Sequence, residues 1–229
     1  MKLGIMQPYF MPYIGYWQLM AAVDTYVVYD DVNYIKGGWV ARNNILLNGQ
    51  KHMFTITLNG ASPNKLFNEI TIKDDFKKFS RLIESAYRRA PYYAEVSTLL
   101  EKIYSYEDKS LGAFMMNSFQ VVLDYLEIDT KLVLSSTIEK DNDLRGKEKV
   151  KYICHLLCAD TYYNAIGGQD LYDKNDFKED GIDMYFVKTE LSPYPQLKKD
   201  FVPGLSIIDV LMFNHPKEVK QLLTNYKLV

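Results

Sequence analysis

KLGIMQPYFMPYIGYWQLMAAVDTYVVYDD, Lys2 to Asp31, decides the fold. Lys2 to Met6 is a short apolar run that reads as a buried strand. Ile14, Trp17, Gln18 and Ala21 recur at helical spacing, so Ile14 to Val23 reads as a helix. Thr25 to Tyr29 is rich in β-branched and aromatic residues and reads as a second strand. Strand, helix and strand within about thirty residues make a βαβ unit, which dictates parallel strands and a right-handed crossover. The loop between the first strand and the helix, MQPYFMPYIGYW, carries two prolines and five aromatic residues. A plain connection needs neither.

Outward from this unit, Asn44 to Leu47 and Lys51 to Leu58 flank Asn48-Gly49, the favoured two-residue hairpin turn. The middle of the chain is helical. Phe76, Phe79, Leu82, Ile83, Ala86 and Tyr87 mark one amphipathic helix, and Pro91 ends it. Val96, Leu99, Leu100 and Ile103 mark a second. Leu111, Phe114, Met115, Ser118, Phe119, Val122, Leu123 and Leu126 mark a third. Strands return at Lys131–Leu134, Thr161–Asn164 and Asp183–Val187, with helices expected over Lys147–Leu157, Ser206–Phe213 and Lys217–Tyr226, Pro216 opening the last. The expected fold is therefore α/β: one domain over residues 1–229, a parallel sheet built from both ends of the chain, a β-hairpin, and a predominantly helical insertion at about 74–128.

Composition bounds the function. Hydrophobic residues make up 48% of the 229 and charged residues 24%, which suits a packed core. The formal net charge of −2 does not suit a general nucleic-acid binder. No basic and apolar leader precedes the first strand, and no apolar run approaches the roughly 20 residues of a membrane span. The expected location is cytoplasmic. Cys154 and Cys158 stand four apart in a helical stretch and read as buried apolar cysteines. No metal site and no cofactor is assigned, and His52, His155 and His215 receive no catalytic role.

Ligands in open α/β sheets bind beyond the carboxyl ends of the strands. That rule selects Gln7 after the first strand, Asp30 and Asp31 after the second, and Asn164 with Gly167-Gly168 after the Thr161 strand. Asp30 and Asp31 are candidate proton acceptors; on an extended chain they point to opposite sides, so one of them is expected to serve a site. Lys36 and Arg42 follow closely and would grip phosphate or carboxylate, with Trp39 and Asn43 beside them. Gly167-Gly168 is a candidate phosphate cradle. Ser206 reads as a helix N-cap with Asp209 in a capping-box-like position.

The layout of the opening unit resembles the nucleotidylyltransferases of the HIGH superfamily, in which a strand and loop lead to H-x-G-H at a helix start. Tyr13-Ile14-Gly15-Tyr16 stands in that place, with tyrosines for both histidines. A neutral tyrosine cannot supply the charge that stabilises a transferring phosphate. The resemblance implies a Rossmann-like sheet and nucleotide-binding geometry with weakened or absent adenylyl transfer. The chain as a whole resembles the WbqC-like family. MQPYFMPYIGYW, Asp24, VVYDDVNYIKGGWVARNNI, ADTYYNAIGGQDLYD, Tyr194-Pro195-Gln196 and LSIIDVLMFN carry that resemblance. It implies a transferase of bacterial surface-polysaccharide (O-antigen-type) synthesis, acting on an amino sugar or nucleotide-activated sugar. The transferred group would be acyl or aminoacyl, and the donor an acyl carrier. The alternative is a non-catalytic nucleotide or nucleotide-sugar-binding protein. Carried onto matching positions, the expected catalytic residues are Asp30, Asp31, Lys36 and Arg42. The expected substrate contacts are Gln7, Tyr13, Gly15, Tyr16, Trp39, Asn43, Asn164, Gly167, Gly168, Tyr172, Gln196, Ser206 and Asp209.

Overall fold

The computed structural model describes residues 1–198 and 200–229. In chain order its elements are β1 (Lys2–Met6), α1 (Ile14–Ala21), β2 (Thr25–Val28), β3 (Arg42–Leu47), β4 (Gln50–Thr55), β5 (Leu58–Asn59), β6 (Thr71–Ile72), α2 (Lys77–Tyr87), α3 (Tyr93–Tyr104), α4 (Leu111–Tyr125), β7 (Lys131–Leu134), α5 (Gly146–Leu156), β8 (Thr161–Ala165), α6 (Lys174–Glu179), β9 (Asp183–Thr189), α7 (Ile207–Phe213), α8 (Pro216–Leu223) and β10 (Tyr226–Leu228).

The main sheet runs β10-β9-β8-β1-β2-β7. Every pairing is parallel except that of β10 with β9. In the order the chain makes them, the parallel strands stand 3-2-1-4-5, so the order reverses between β1 and β8. Register keeps the carboxyl ends level: Met6 pairs with Val28, Val28 with Leu134, and Ala165 with Val187. Side chains alternate across the strands. Leu3, Ile5, Val27, Tyr162 and Phe186 join Val150, Ile153 and Cys154 of α5 on one face. Tyr26, Val28, Tyr163 and Val187 join α1 and the middle helices on the other. The fold is thus a mixed α/β fold with a mainly parallel central sheet and eight α-helices among the described residues.

The aromatic loop after β1 is a plug in this core. Phe10 is fully buried, with its ring centroid 6.2 Å from Phe54, 6.0 Å from Phe76, 5.9 Å from Phe79 and 6.2 Å from Phe114. Its backbone is clamped from distant segments. Phe10 N–H donates to Val40 (2.8 Å) and Ile207 N–H to Pro12 (2.9 Å). Met11, at φ +46°, offers its carbonyl to Asn43 Nδ2 (2.8 Å) and Ser206 Oγ (2.7 Å). Tyr16 Oη donates to the Gln7 carbonyl at 2.7 Å, closing the loop.

Several boundaries differ from the sequence expectation. The first helix stops at Ala21, with Ala22 as its cap, rather than at Val23. The Asn48-Gly49 turn takes positive φ at both residues (53° and 80°), as the favoured hairpin turn demands. The last helix ends at Leu223. Tyr226, expected to be helical, instead starts β10 against β9. Gln18, fully buried on α1, fixes that return by donating to the carbonyls of Leu222 (3.0 Å) and Asn225 (2.9 Å). Cys154 is buried as expected. Cys158 is exposed, because α5 ends at Leu156 and Cys158 turns to φ +56°.

A methyl group on Gly15 would collide with Thr189 Oγ1 and lie 2.6 Å from the Tyr13 ring. Gly15→Ala should therefore cost about 1–3 kcal/mol in urea unfolding, the usual penalty for overpacking. An unchanged midpoint would remove the close approach of α1 to the end of β9 as the reason for this glycine.

Candidate functional site

The level strand ends bring Gln7, Asp30-Asp31 and Asn164 to one edge of the sheet, but the two aspartates take different duties there. Asp30 is 2% exposed. Its carboxylate accepts from Ser136 N–H (2.9 Å) and Ser136 Oγ (2.6 Å), just beyond β7. Gly112, in the first turn of α4, packs so closely that a Cβ there would lie 2.8 Å from Asp30 Cβ. This carboxylate ties the end of β2 to β7 and α4, so the expected proton-acceptor role does not suit it.

Asp31 points the other way and forms ion pairs with Lys140 (2.8 Å) and Lys149 (3.1 Å). All three side chains are nearly buried, at 9%, 1% and 5% exposure. Burial alone would raise the Asp31 pKa; the Lys140 and Lys149 ammonium groups beside it outweigh burial and hold the carboxyl below its ordinary value. Asp31 and Lys149 line a cavity of about 270 Å³ with Tyr29, Val32, Asn33, Leu66, Asn142, Arg145 and Gly146. Arg145 is the N-cap of α5 and leaves the helix start without a side-chain cap. The first-turn N–H groups of a helix lack internal partners. Arg145, Lys149 and Lys140 thus stand against one carboxylate, which leaves an excess of positive charge at this end of the sheet.

A second cavity, of about 200 Å³, lies against the aromatic loop. Tyr9, Pro12, Tyr13, Trp39, Asn43, Asn44 and Gly204 line it. Tyr13 and Trp39 are exposed at 37% and 50%. The Arg42 guanidinium lies 5.5 Å from the Trp39 ring and donates to the Gly37 carbonyl. Asn43, 7% exposed, lines the wall while its amide holds Met11. Lys36 is exposed on the same loop.

Most of the other expected contact residues make internal contacts in this fold. Tyr16 is buried at 2% exposure, its hydroxyl committed to Gln7. Gly15 meets Tyr13 and Thr189. Asn164 Oδ1 accepts from Ala165 N–H at 2.8 Å. Gly168 packs on the same side chain: a Cβ there would lie 2.5 Å from Asn164 Nδ2. Gly167 has open space around its Cα. Tyr172 packs its ring against Tyr162 and Phe177. Ser206 caps α7, accepting from Ile208 N–H at 3.3 Å, but Asp209 completes no capping box. Its carboxylate, fully buried, accepts instead from Tyr87 Oη (2.8 Å), Tyr194 Oη (2.6 Å) and Gln196 Nε2 (2.6 Å). Burial raises its pKa, and these hydrogen bonds offset only part of the rise.

Sequence reasoning missed Lys140, Arg145 and Lys149. Lys149 did leave a signal: it stands four residues before Ile153, placing a lysine on the apolar face of α5. Among the described residues, no group of three or more His, Cys, Asp or Glu side chains is placed to hold a metal ion. Nor is any helix long and apolar enough to cross a membrane.

An α/β protein with a cationic cavity at the carboxyl end of a mainly parallel sheet can be compared with known families. A profile of the WbqC-like protein family matches residues 7–221, and the chain belongs to that family. It is similar to an uncharacterized protein of Mycobacterium tuberculosis, Rv1507c, with 29% identity over 219 residues and 93% of each chain covered. No solved structure matches the chain.

The two buried carboxylates should answer pH in opposite directions. Asp31, with a lowered pKa, contributes stability above its unfolded value near ~4 and loses it as pH falls through the folded value. Asp31→Asn strands two buried ammonium groups and should cost about 3–5 kcal/mol at pH 7. Asp209, with a raised pKa, loses its contribution as pH rises from ~4 through its folded value. Asp209→Asn should flatten that decline, so the stability of the variant relative to the parent grows with pH. Denaturant titrations at stepped pH read both slopes; parallel curves for variant and parent would refute the assignment.

Proposed function

We propose that this protein is a transferase of bacterial surface-polysaccharide (O-antigen-type) biosynthesis. It modifies an amino sugar or nucleotide-activated sugar by acyl or aminoacyl transfer, at the carboxyl ends of a Rossmann-like sheet in a single cytoplasmic α/β domain. The observation that carries this reading is the cavity at the end of β2, where Arg145, Lys149 and the open start of α5 surround one ionised carboxylate. Phosphate oxygens suit these donors. The aromatic cavity beside Tyr13 and Trp39 has the chemistry of a platform for a sugar ring or base, with Asn43 and Asn44 at its polar edge. Lys36 and Arg42 add cations on the adjoining loop.

In the transfer, the sugar amine bonds to the acyl carbon, the carrier leaves, and the amine sheds a proton. Asp31 is the ionised acceptor that the cavity offers. Its lowered pKa makes it a modest base, suited to a proton already acidified by bond formation. An acyl-carrier donor fits this scheme.

The second reading, a non-catalytic nucleotide-sugar binder, is favoured by two observations: Tyr16 spends its hydroxyl on the loop and Asp30 spends its carboxylate on Ser136. Calorimetry with a panel of nucleotide sugars tests both readings. Arg145 is exposed, and Arg145→Ala should weaken binding about tenfold or more by removing charge-assisted hydrogen bonds. No heat from any member of the panel would sink both readings. Binding without turnover, when acyl donors are supplied, would leave the binder.

A further inference from the structure

A third cavity lies away from the strand ends, between the β3–β4 hairpin turn, the end of α2 and the segment before Lys198. At about 380 Å³ it is wider than either cavity above. Arg88, Arg89 and Lys198 line it with Ser85 and Asn48, over an apolar floor of Leu46, Ala86 and Leu197. No acidic side chain is among the described lining residues. None of the three cations takes part in an ion pair among the described residues. We propose that this cavity binds a small molecule carrying two or more linked phosphates.

Charge is the first support. Three like charges around one concavity repel each other, and an anion relieves that repulsion. Cations at the end of α2 also complement its dipole, which accounts for Arg88 and Arg89 without a ligand. That explanation does not reach Lys198, which comes from a different segment. Its stem lies across Gly49, where a Cβ would fall 2.9 Å from Lys198 Cε.

Construction is the second support. All three walls are bolted to one buried group. Tyr87, the last residue of α2, donates to Asp209 and accepts from Leu46 N–H of β3 at 2.8 Å. Tyr194 and Gln196, immediately before Leu197-Lys198, donate to the same carboxylate. The walls of the cavity are therefore held in place by the fold, so a ligand has only the cationic side chains to order. Arginine forks match phosphate oxygens in bidentate geometry, the lysine adds a point charge, and Ser85 and Asn48 complete the polar edge. A concave site with an apolar floor suits a discrete small molecule better than a polymer backbone.

The test is a titration of the isotopically labelled full chain with inorganic diphosphate, followed by amide NMR at roughly physiological salt, where exposed charges are screened. The expected result is saturable shifts at the amides of Asn48, Gly49, Ser85 and Leu197. In Arg88→Ala/Arg89→Ala, and separately in Lys198→Gln, those shifts should need about tenfold more diphosphate, with the rest of the spectrum unchanged. Arg145→Ala should leave them intact, which separates this site from the one at the strand ends. Absent or unsaturable shifts would overturn the proposal. Undiminished shifts in all these variants would do the same. A single-stranded oligonucleotide that moves the same amides at lower concentration would overturn the small-molecule assignment.

Discussion

One carbonyl oxygen, that of Met11, organises the business end of this molecule. It receives hydrogen bonds from Asn43 and Ser206, and its residue sits at φ +46°. A left-handed backbone costs a non-glycine residue about 1–2 kcal/mol. It persists because the surroundings over-determine it. The hairpin supplies one donor and the start of α7 the other, so both are drawn onto the loop that follows β1. Phe10, the neighbouring residue, then fills the space where the hairpin and the middle helices meet. The same corner shapes the aromatic cavity, whose walls include Pro12, Tyr13 and Asn43. Without the clamp, neither the core plug nor that cavity has a reason to keep its shape.

Three buried carboxylates show how polar groups set the joints between elements. Asp30 and Asp31 are adjacent on an extended chain, so their side chains diverge. One reaches Ser136, the other two lysines. Asp209 gathers two tyrosines and a glutamine. Burying a carboxylate is costly unless donors or cations meet it. Each therefore fixes a small number of geometries for the segments that supply the donors. The carboxylate that faces a cavity is the one whose partners are cations, which leaves it ionised and surrounded by excess positive charge.

Much of the fold was legible in the sequence. The βαβ opening, the Asn48-Gly49 hairpin, the middle helices and the parallel strands follow from periodicity and turn chemistry. What periodicity could not reach was β10, whose three residues are strand only because Gln18 and β9 hold them there. The site was harder to read. The strand-end rule found Asp31, and the loop pattern found Tyr13, Trp39 and Asn43 beside a cavity. Residue type does not reveal whether a polar group has a partner inside the fold, and sequence alone cannot separate that duty from ligand contact for Tyr16, Asn164, Gln196, Ser206 and Asp209. Each makes at least one side-chain hydrogen bond within the fold. Arg145 and Lys149 escaped because they reach the cavity from the start of α5 rather than from a strand end, and Lys140 because it meets Asp31 from the segment between β7 and α5.

The strand order gives the loop after β1 a place in time as well as in space. β1 lies between β2 and β8, and the Met11 carbonyl waits for a hydroxyl 195 residues further along. A ribosome delivers the amino-terminal half of this arrangement well before the donors that hold it. Until Ser206 emerges, the aromatic loop has apolar rings and no complete set of partners, and contacts of such long sequence separation form slowly. The part of the chain made first thus waits for one of the last to complete its bonds, and a truncation that removes Ser206 and Ile207 leaves Met11 and Pro12 without the donors α7 supplies.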